Sequence, residues 1–133
     1  MEIEGNFKTI AFDGEKLLLL DQRKLPNEEV YVKCNDEFEV ADAIRSMIVR
    51  GAPAIGVTAA YGMALSAKRT ASMGLDKQIN SLNEAAVILG ETRPTAINLY
   101  WAIGRTLKLI KDENSPEEIM KRLLDFANSL YLE

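Results

Sequence analysis

No histidine occurs anywhere in the 133 residues, and cysteine and tryptophan occur once each. Without imidazole the chain cannot assemble a Ser-His-Asp or Cys-His nucleophile, nor any histidine-based metal site. The single thiol, Cys34, excludes an internal disulfide and a thiolate zinc cluster. A lone cysteine and a start without the features of a signal sequence fit a cytoplasmic protein. Basic residues are outnumbered, 16 against 20, for a net charge of -4. A general nucleic-acid binder shows the opposite balance, gathered into a patch. No apolar run approaches the roughly 20 residues of a membrane span. Chemistry inside this chain is left to arginine, lysine, carboxylates, hydroxyls and backbone amides, and no pair of carboxylates is placed for acid–base work.

What is present is the composition of a soluble globular domain, 47% hydrophobic and 27% charged. The length suits one domain, residues 1–133, with one core. The first part, 1–34, reads as β. "FKTIAF" and "KLLLLDQ" flank "DGE", and Asp13-Gly14 is a hairpin signal because glycine accepts positive φ. "KLPN" breaks the chain at Pro26 and Asn27. "EVYVKC" then alternates Val30 and Val32 against Tyr31 and Lys33, so three short antiparallel strands are expected.

Residues 35–133 read as α, with about five helices. Asn35 or Asp36 caps a first helix reaching Val49, with Phe38, Ala41, Ile44 or Arg45, and Ile48 at helical spacing. A second opens at Pro53, a residue suited to a first helical position, and runs to about Gly74. Its small residues, Ala54, Gly56, Ala59, Ala60 and Ala64, permit close approach by neighbours. A third covers about Asp76 to Leu89, with Ile79, Leu82, Ala86 and Leu89 on one face. A fourth starts near Thr95. The fifth follows "SPEE", with Ser115 as cap, Pro116 at the first position, Glu118 as capping-box partner, and Ile119, Leu123, Phe126 and Leu130 as its face. The expected class is α+β: a small three-stranded antiparallel sheet followed by a helical bundle.

Two arginines hold equivalent places, Arg50 before the Pro53 helix and Arg93 before the Thr95 helix. A helix start offers unpaired N–H groups and partial positive charge. A neighbouring guanidinium adds a fork of donors suited to phosphate. Gly51 has no Cβ to hold an oxygen off the backbone, and Ala52 adds little. "RGAP" and "TRPT" thus read as two halves of a phosphate clamp. An arginine ahead of a helix is also an ordinary solvated or salt-bridged residue, and Gly-Ala-Pro an ordinary turn; the residues alone leave both readings open. Cys34, at a strand end, reads as a small buried hydrophobe. Asp21, Gln22 and Arg23 are either a polar turn or a cleft lining. Tyr61, Tyr100 and Trp101 fall at helical positions as core or interface. Asp36, Glu37 and Glu39 read as the acidic first turn of a helix.

"LLDQRKLPNEEVYVKC", "VRGAPAIGVTAAYGMALSA" and "TRPTAINLYWAI" together resemble, in this order, the amino-terminal region of the methylthioribose-1-phosphate isomerases. These share a superfamily with ribose-1,5-bisphosphate isomerases and with the regulatory alpha, beta and delta subunits of translation initiation factor 2B. The resemblance covers nearly the whole chain, and "RGAPAIG" with "RPTAINL" and "LLDQR" marks the isomerase branch. It implies a small amino-terminal domain that pairs, in the family, with a Rossmann-like carboxy-terminal domain across a substrate cleft. It implies substrate binding by Arg50, Gly51, Ala52 and Arg93, with no metal or organic cofactor. The family's catalytic cysteine and aspartate belong to the carboxy-terminal domain, which this sequence does not include, so no catalytic residue is expected here and Cys34 is not the family's cysteine. The implied reaction is conversion of S-methyl-5-thioribose 1-phosphate to S-methyl-5-thioribulose 1-phosphate in methionine salvage. Alternatives are a fragment of a ribose-1,5-bisphosphate isomerase, a stand-alone binder of sugar phosphates, and a regulatory module akin to the translation-factor subunits. Expected partners are the sugar phosphate, the carboxy-terminal domain or a complementing chain, and a second copy in a homo-oligomer; neither nucleic acid nor membrane is expected. An apolar patch near Tyr61 or Tyr100 is the expected docking surface.

Overall fold

The computed structural model describes residues 9–93 and 96–132. Strand β1 (Ile10–Phe12) turns back into β2 (Leu17–Leu20), which pairs antiparallel with β3 (Tyr31–Cys34), in the order β1-β2-β3. The hairpin turn is held by Asp13, whose carboxylate accepts from the amides of Glu15 at 2.8 Å and Lys16 at 2.7 Å, with Gly14 at φ +99°. The register stacks Ile10, Leu19 and Val32 in one row and Phe12, Leu17 and Cys34 in the next, so one face of the sheet is apolar. Tyr31 and Lys33 face outward, as the alternation predicts.

The helices are α1 (Glu37–Arg45), α2 (Ala52–Thr70), α3 (Leu75–Gly90), α4 (Ile97–Leu109) and α5 (Pro116–Leu132). Helix α2 is the axis of the domain: it is buried all round from Ala54 to Ala67 and packs against each of the other four. Its small residues make this possible. A Cβ on Gly56 would lie 3.2 Å from the Asn98 carbonyl oxygen of α4, and one on Gly62 would lie 3.0 Å from Val40 of α1 and 3.1 Å from Leu89 of α3. The sheet closes one side through Phe12, stacked on Tyr61 with ring centroids 5.4 Å apart. Tyr61 is buried, and its hydroxyl donates to Asn128 Oδ1 on α5. Gln78 bonds the Ala67 and Pro116 carbonyls, both at 3.0 Å, tying α3 to the end of α2 and the start of α5.

Several boundaries and faces differ from those expected. Helix α1 stops at Arg45 rather than Val49. Its end is a Schellman motif, with Ile48 N–H donating to Ala43 C=O and Met47 N–H to Ile44 C=O, and Met47 takes the left-handed position at φ +66°. Such a position favours glycine, so methionine gave no stop signal. The buried residues of α1 are Glu37, Val40, Ala41, Ala43 and Ile44, and Phe38 is turned outward. Asp36 is the cap, accepting from Glu39 N–H at 2.9 Å. In α2, Ala52 precedes Pro53, and the helix yields to a 3-10 turn (Ala71–Met73) before Gly74. On α3, Leu82, Ala85 and Leu89 are buried, while Ile79 and Ala86 sit at the margin. Helix α4 begins at Ile97; Thr95, expected at its start, lies outside the described residues. The α5 start is as expected, with Glu118 N–H donating to Ser115 Oγ at 3.3 Å.

Candidate functional site

The head of α2 has no side-chain cap. Gly51 fills the cap position at φ +92°, a conformation that a residue with Cβ rarely adopts, and open space lies where that Cβ would point. Ala52 is the first helical residue. Pro53, at the second, has no N–H to leave unpaired. Arg50 stands one residue before the cap, exposed, and its Nη2 donates to the Gln22 carbonyl at 3.3 Å. It borders a hollow of about 190 Å³ formed by Thr9, Ile10, Leu20, Gln22, Val49 and Ala54. Arg50 thus lies between the first turn of α2 and the turn that follows strand β2.

The segment after β2 is a built turn. Asp21 is buried and accepts from its near neighbour Arg23 three times: from the amide at 3.0 Å, Nε at 2.9 Å and Nη2 at 2.8 Å. These hydrogen bonds hold the Asp21 carboxyl below its usual range, against burial, which acts the other way. Gln22 N–H donates to the Ile48 carbonyl at 2.9 Å, so this turn is pinned to the connection between α1 and α2 that leads into Arg50. Of the two readings left open for Asp21, Gln22 and Arg23, the structure shows both at once: Asp21 and Arg23 form a polar turn, and Gln22 lines the hollow.

Arg93 is placed differently. It precedes α4 by four residues, in a turn where its carbonyl accepts from Ala96 N–H at 2.9 Å, so it is not the positional equivalent of Arg50. It is half-buried, and its Nη1 is buried without a hydrogen-bonding partner among the described residues. It does not line the Arg50 hollow. The heads of α2 and α4 nevertheless lie at one end of the domain, since Gly56 and Asn98 touch. At about 1.5 Å per residue, Ala52 is only about 6 Å along the axis from that contact.

The other candidates resolve structurally. Cys34 is buried with its thiol pushed up to about 12, by burial first and then by the charges of Glu39, Asp36 and Asp42. Glu37, in the acidic first turn of α1 as expected, is also buried and held by Arg69 through Nε at 3.1 Å and Nη2 at 2.6 Å. Burial raises its pKa, the Arg69 bonds lower it, and the net direction is down. Pairing over 32 residues leaves no local sequence signal. The expected apolar patch is not at Tyr61, which is core; it lies on α4, where Ile97 is 80% exposed, Tyr100 48% and Trp101 51%. Among the described residues, no helix is long and apolar enough to cross a membrane.

Fold and site together define a small α+β domain carrying a cation at an uncapped helix head. The chain belongs to the Initiation factor 2 subunit family, whose model matches residues 48–133, a span that includes both Arg50 and Arg93. It is similar to the methylthioribose-1-phosphate isomerase of Petrotoga mobilis, 48% identical over 118 residues, which are 86% of this chain and 34% of the relative. It is likewise similar to a putative methylthioribose-1-phosphate isomerase of Sulfolobus acidocaldarius, 46% identical with 99% of this chain and 38% of the relative covered. Two solved structures share the fold. The 5-methylthioribose 1-phosphate isomerase of Pyrococcus horikoshii superimposes with a TM-score of 0.87 at 36% identity, over 92% of this chain and 35% of that one. The delta subunit of translation initiation factor eIF-2B from A. fulgidus does so with 0.86 at 39% identity, over 93% and 36%. The chain therefore spans about a third of the length of its relatives.

Proposed function

We propose that the chain is the amino-terminal, substrate-binding part of an aldose–ketose isomerase that converts S-methyl-5-thioribose 1-phosphate to S-methyl-5-thioribulose 1-phosphate, and that it is inactive without a carboxy-terminal domain. The observation that carries this reading is Arg50 at the lip of a hollow beside an uncapped helix head, within a chain 48% identical to a curated isomerase. The phosphate sits against the Arg50 guanidinium and the amides near Gly51 and Ala52, where charge and N–H donors act together. Arg93, with a buried N–H lacking a protein partner among the described residues, supplies a second donor to the same substrate. These groups bind and neutralise the phosphate while the ring opens; the proton or hydride shift between C2 and C1 falls to residues of the other domain. The reaction calls on no metal or organic cofactor.

The test is an enzyme assembled from this chain and a carboxy-terminal part. Arg50→Ala and Arg93→Ala should each weaken phosphate-ligand affinity by about 1.5–3 kcal/mol, the scale of hydrogen bonds to charged groups. Unchanged affinity in both variants rejects the clamp. A second reading, a regulatory or interaction module without catalysis, draws on the likeness to the eIF-2B delta subunit. Halves that associate but form no ketose would favour it.

The exposed face of α4 is the surface we assign to a partner, either the remainder of the protein or a second copy. The chain by itself should self-associate through Ile97, Tyr100 and Trp101. Sedimentation at high concentration should show this, and Tyr100→Ser with Trp101→Ser should abolish it; a wild-type chain that stays monomeric contradicts it.

A further inference from the structure

Gln22 lines the same hollow as Arg50 and differs from it in kind. Both of its backbone polar groups are engaged: the N–H donates to Ile48 C=O at 2.9 Å, and the C=O accepts from Arg50 Nη2 at 3.3 Å. The buried Asp21 carboxylate, closed onto Arg23, fixes the turn immediately before it. The half-buried side chain is the part of Gln22 left to act. The rest of the lining, apart from Thr9 and Arg50, is apolar: Ile10, Leu20, Val49 and Ala54.

A guanidinium suits phosphate oxygens but discriminates poorly among molecules that carry a phosphate. A neutral carboxamide both donates and accepts, which is what a sugar hydroxyl requires. A site built to hydrogen-bond a hydroxyl rejects analogues lacking it, because the site's polar group is then left unpaired. We propose that Gln22 is a specificity-determining residue, its amide hydrogen-bonding a hydroxyl of the phosphosugar whose phosphate Arg50 holds. This rests on the anion-site reading above and adds to it the group that separates a sugar phosphate from phosphate alone.

The experiment titrates the chain with ribose 1-phosphate and, separately, with inorganic phosphate, following backbone amide resonances around Gln22 and Gly51. The wild-type chain should prefer ribose 1-phosphate. Gln22→Ala should reduce that preference about threefold to tenfold, the scale of one neutral hydrogen bond, while leaving affinity for inorganic phosphate unchanged. Gln22→Glu keeps the shape of the side chain but sets a carboxylate beside Arg50, and should weaken both ligands. If Gln22→Ala retains the full preference, or if the wild-type chain shows none, the role given to Gln22 is overturned while Arg50-dependent phosphate binding stands. If phosphate binding is absent or indifferent to Arg50→Ala, the anion site itself is wrong and the inference goes with it.

Discussion

Replacing Arg69 by alanine should change both the size and the pH dependence of stability. Glu37 is 1% exposed and its carboxylate accepts two hydrogen bonds from Arg69, with a longer one from Ser81 Oγ at 3.3 Å. Removing one partner of a buried ion pair costs about 3–5 kcal/mol. The Arg69 side chain is itself 38% exposed, so water replaces part of what is lost and the lower end applies, about 3 kcal/mol. Loss of its stacking over Phe38, 5.6 Å from the ring centroid, adds only about 0.5 kcal/mol at so exposed a site. For a chain of this length that is a fall in Tm of roughly 12 °C.

The pH dependence gives the sharper discrimination. In the wild type Glu37 is depressed, so its contribution is present above the unfolded value of about 4.3 and is lost as pH falls through the folded pKa. Without Arg69 the burial remains and the cation does not. The folded pKa then moves above the unfolded one, the penalty is present at neutral pH, and protonation relieves it. Arg69→Ala should therefore gain stability relative to wild type on acidification from pH 7 towards 5. Urea unfolding followed by circular dichroism at pH 7, 6 and 5 measures this. A variant within about 1 kcal/mol of wild type at pH 7, or one whose deficit is independent of pH, refutes the assignment of a buried, Arg69-dependent charge.

Met47 holds the left-handed position that ends α1 and is exposed. Met47→Gly should raise stability by about 0.5–1 kcal/mol, since the strain relieved exceeds the entropy that glycine adds to the unfolded chain; a lower urea midpoint would contradict this. Cys34, buried with its thiol pushed up to about 12, should resist a disulfide reagent at pH 8 in the folded chain and react only as fast as the chain opens. Rapid labelling under native conditions would show that the strand end is open to solvent.

Local chemistry determined much of this molecule. Asp13-Gly14 made the hairpin, the period of two in β3 set its faces, Ser115-Pro116 opened α5, and the small residues of α2 announced a helix that others pack against closely. Each of those signals is carried by neighbours in sequence and acts over a few residues. The succession of a cation, a residue without Cβ and a helix start was legible for the same reason in Arg50, Gly51 and Pro53, though the helix opens one residue earlier, at Ala52, and the positive φ of Gly51 came only from the fold. Tertiary structure decided the rest. Only the packing of α1 against α2 turned Glu37 inward and Phe38 out, because the partner that compensates the charge lies 32 residues away. Only the pinning of the Gln22 turn to Ile48 brought a strand end to the head of α2 and made one hollow from two distant segments. And Arg93 took a turn rather than a helix head, since its backbone is engaged by Ala96 and its guanidinium is half-buried by the fold. Burial and long-range pairing are properties of the whole arrangement, and no stretch of sequence carries them alone.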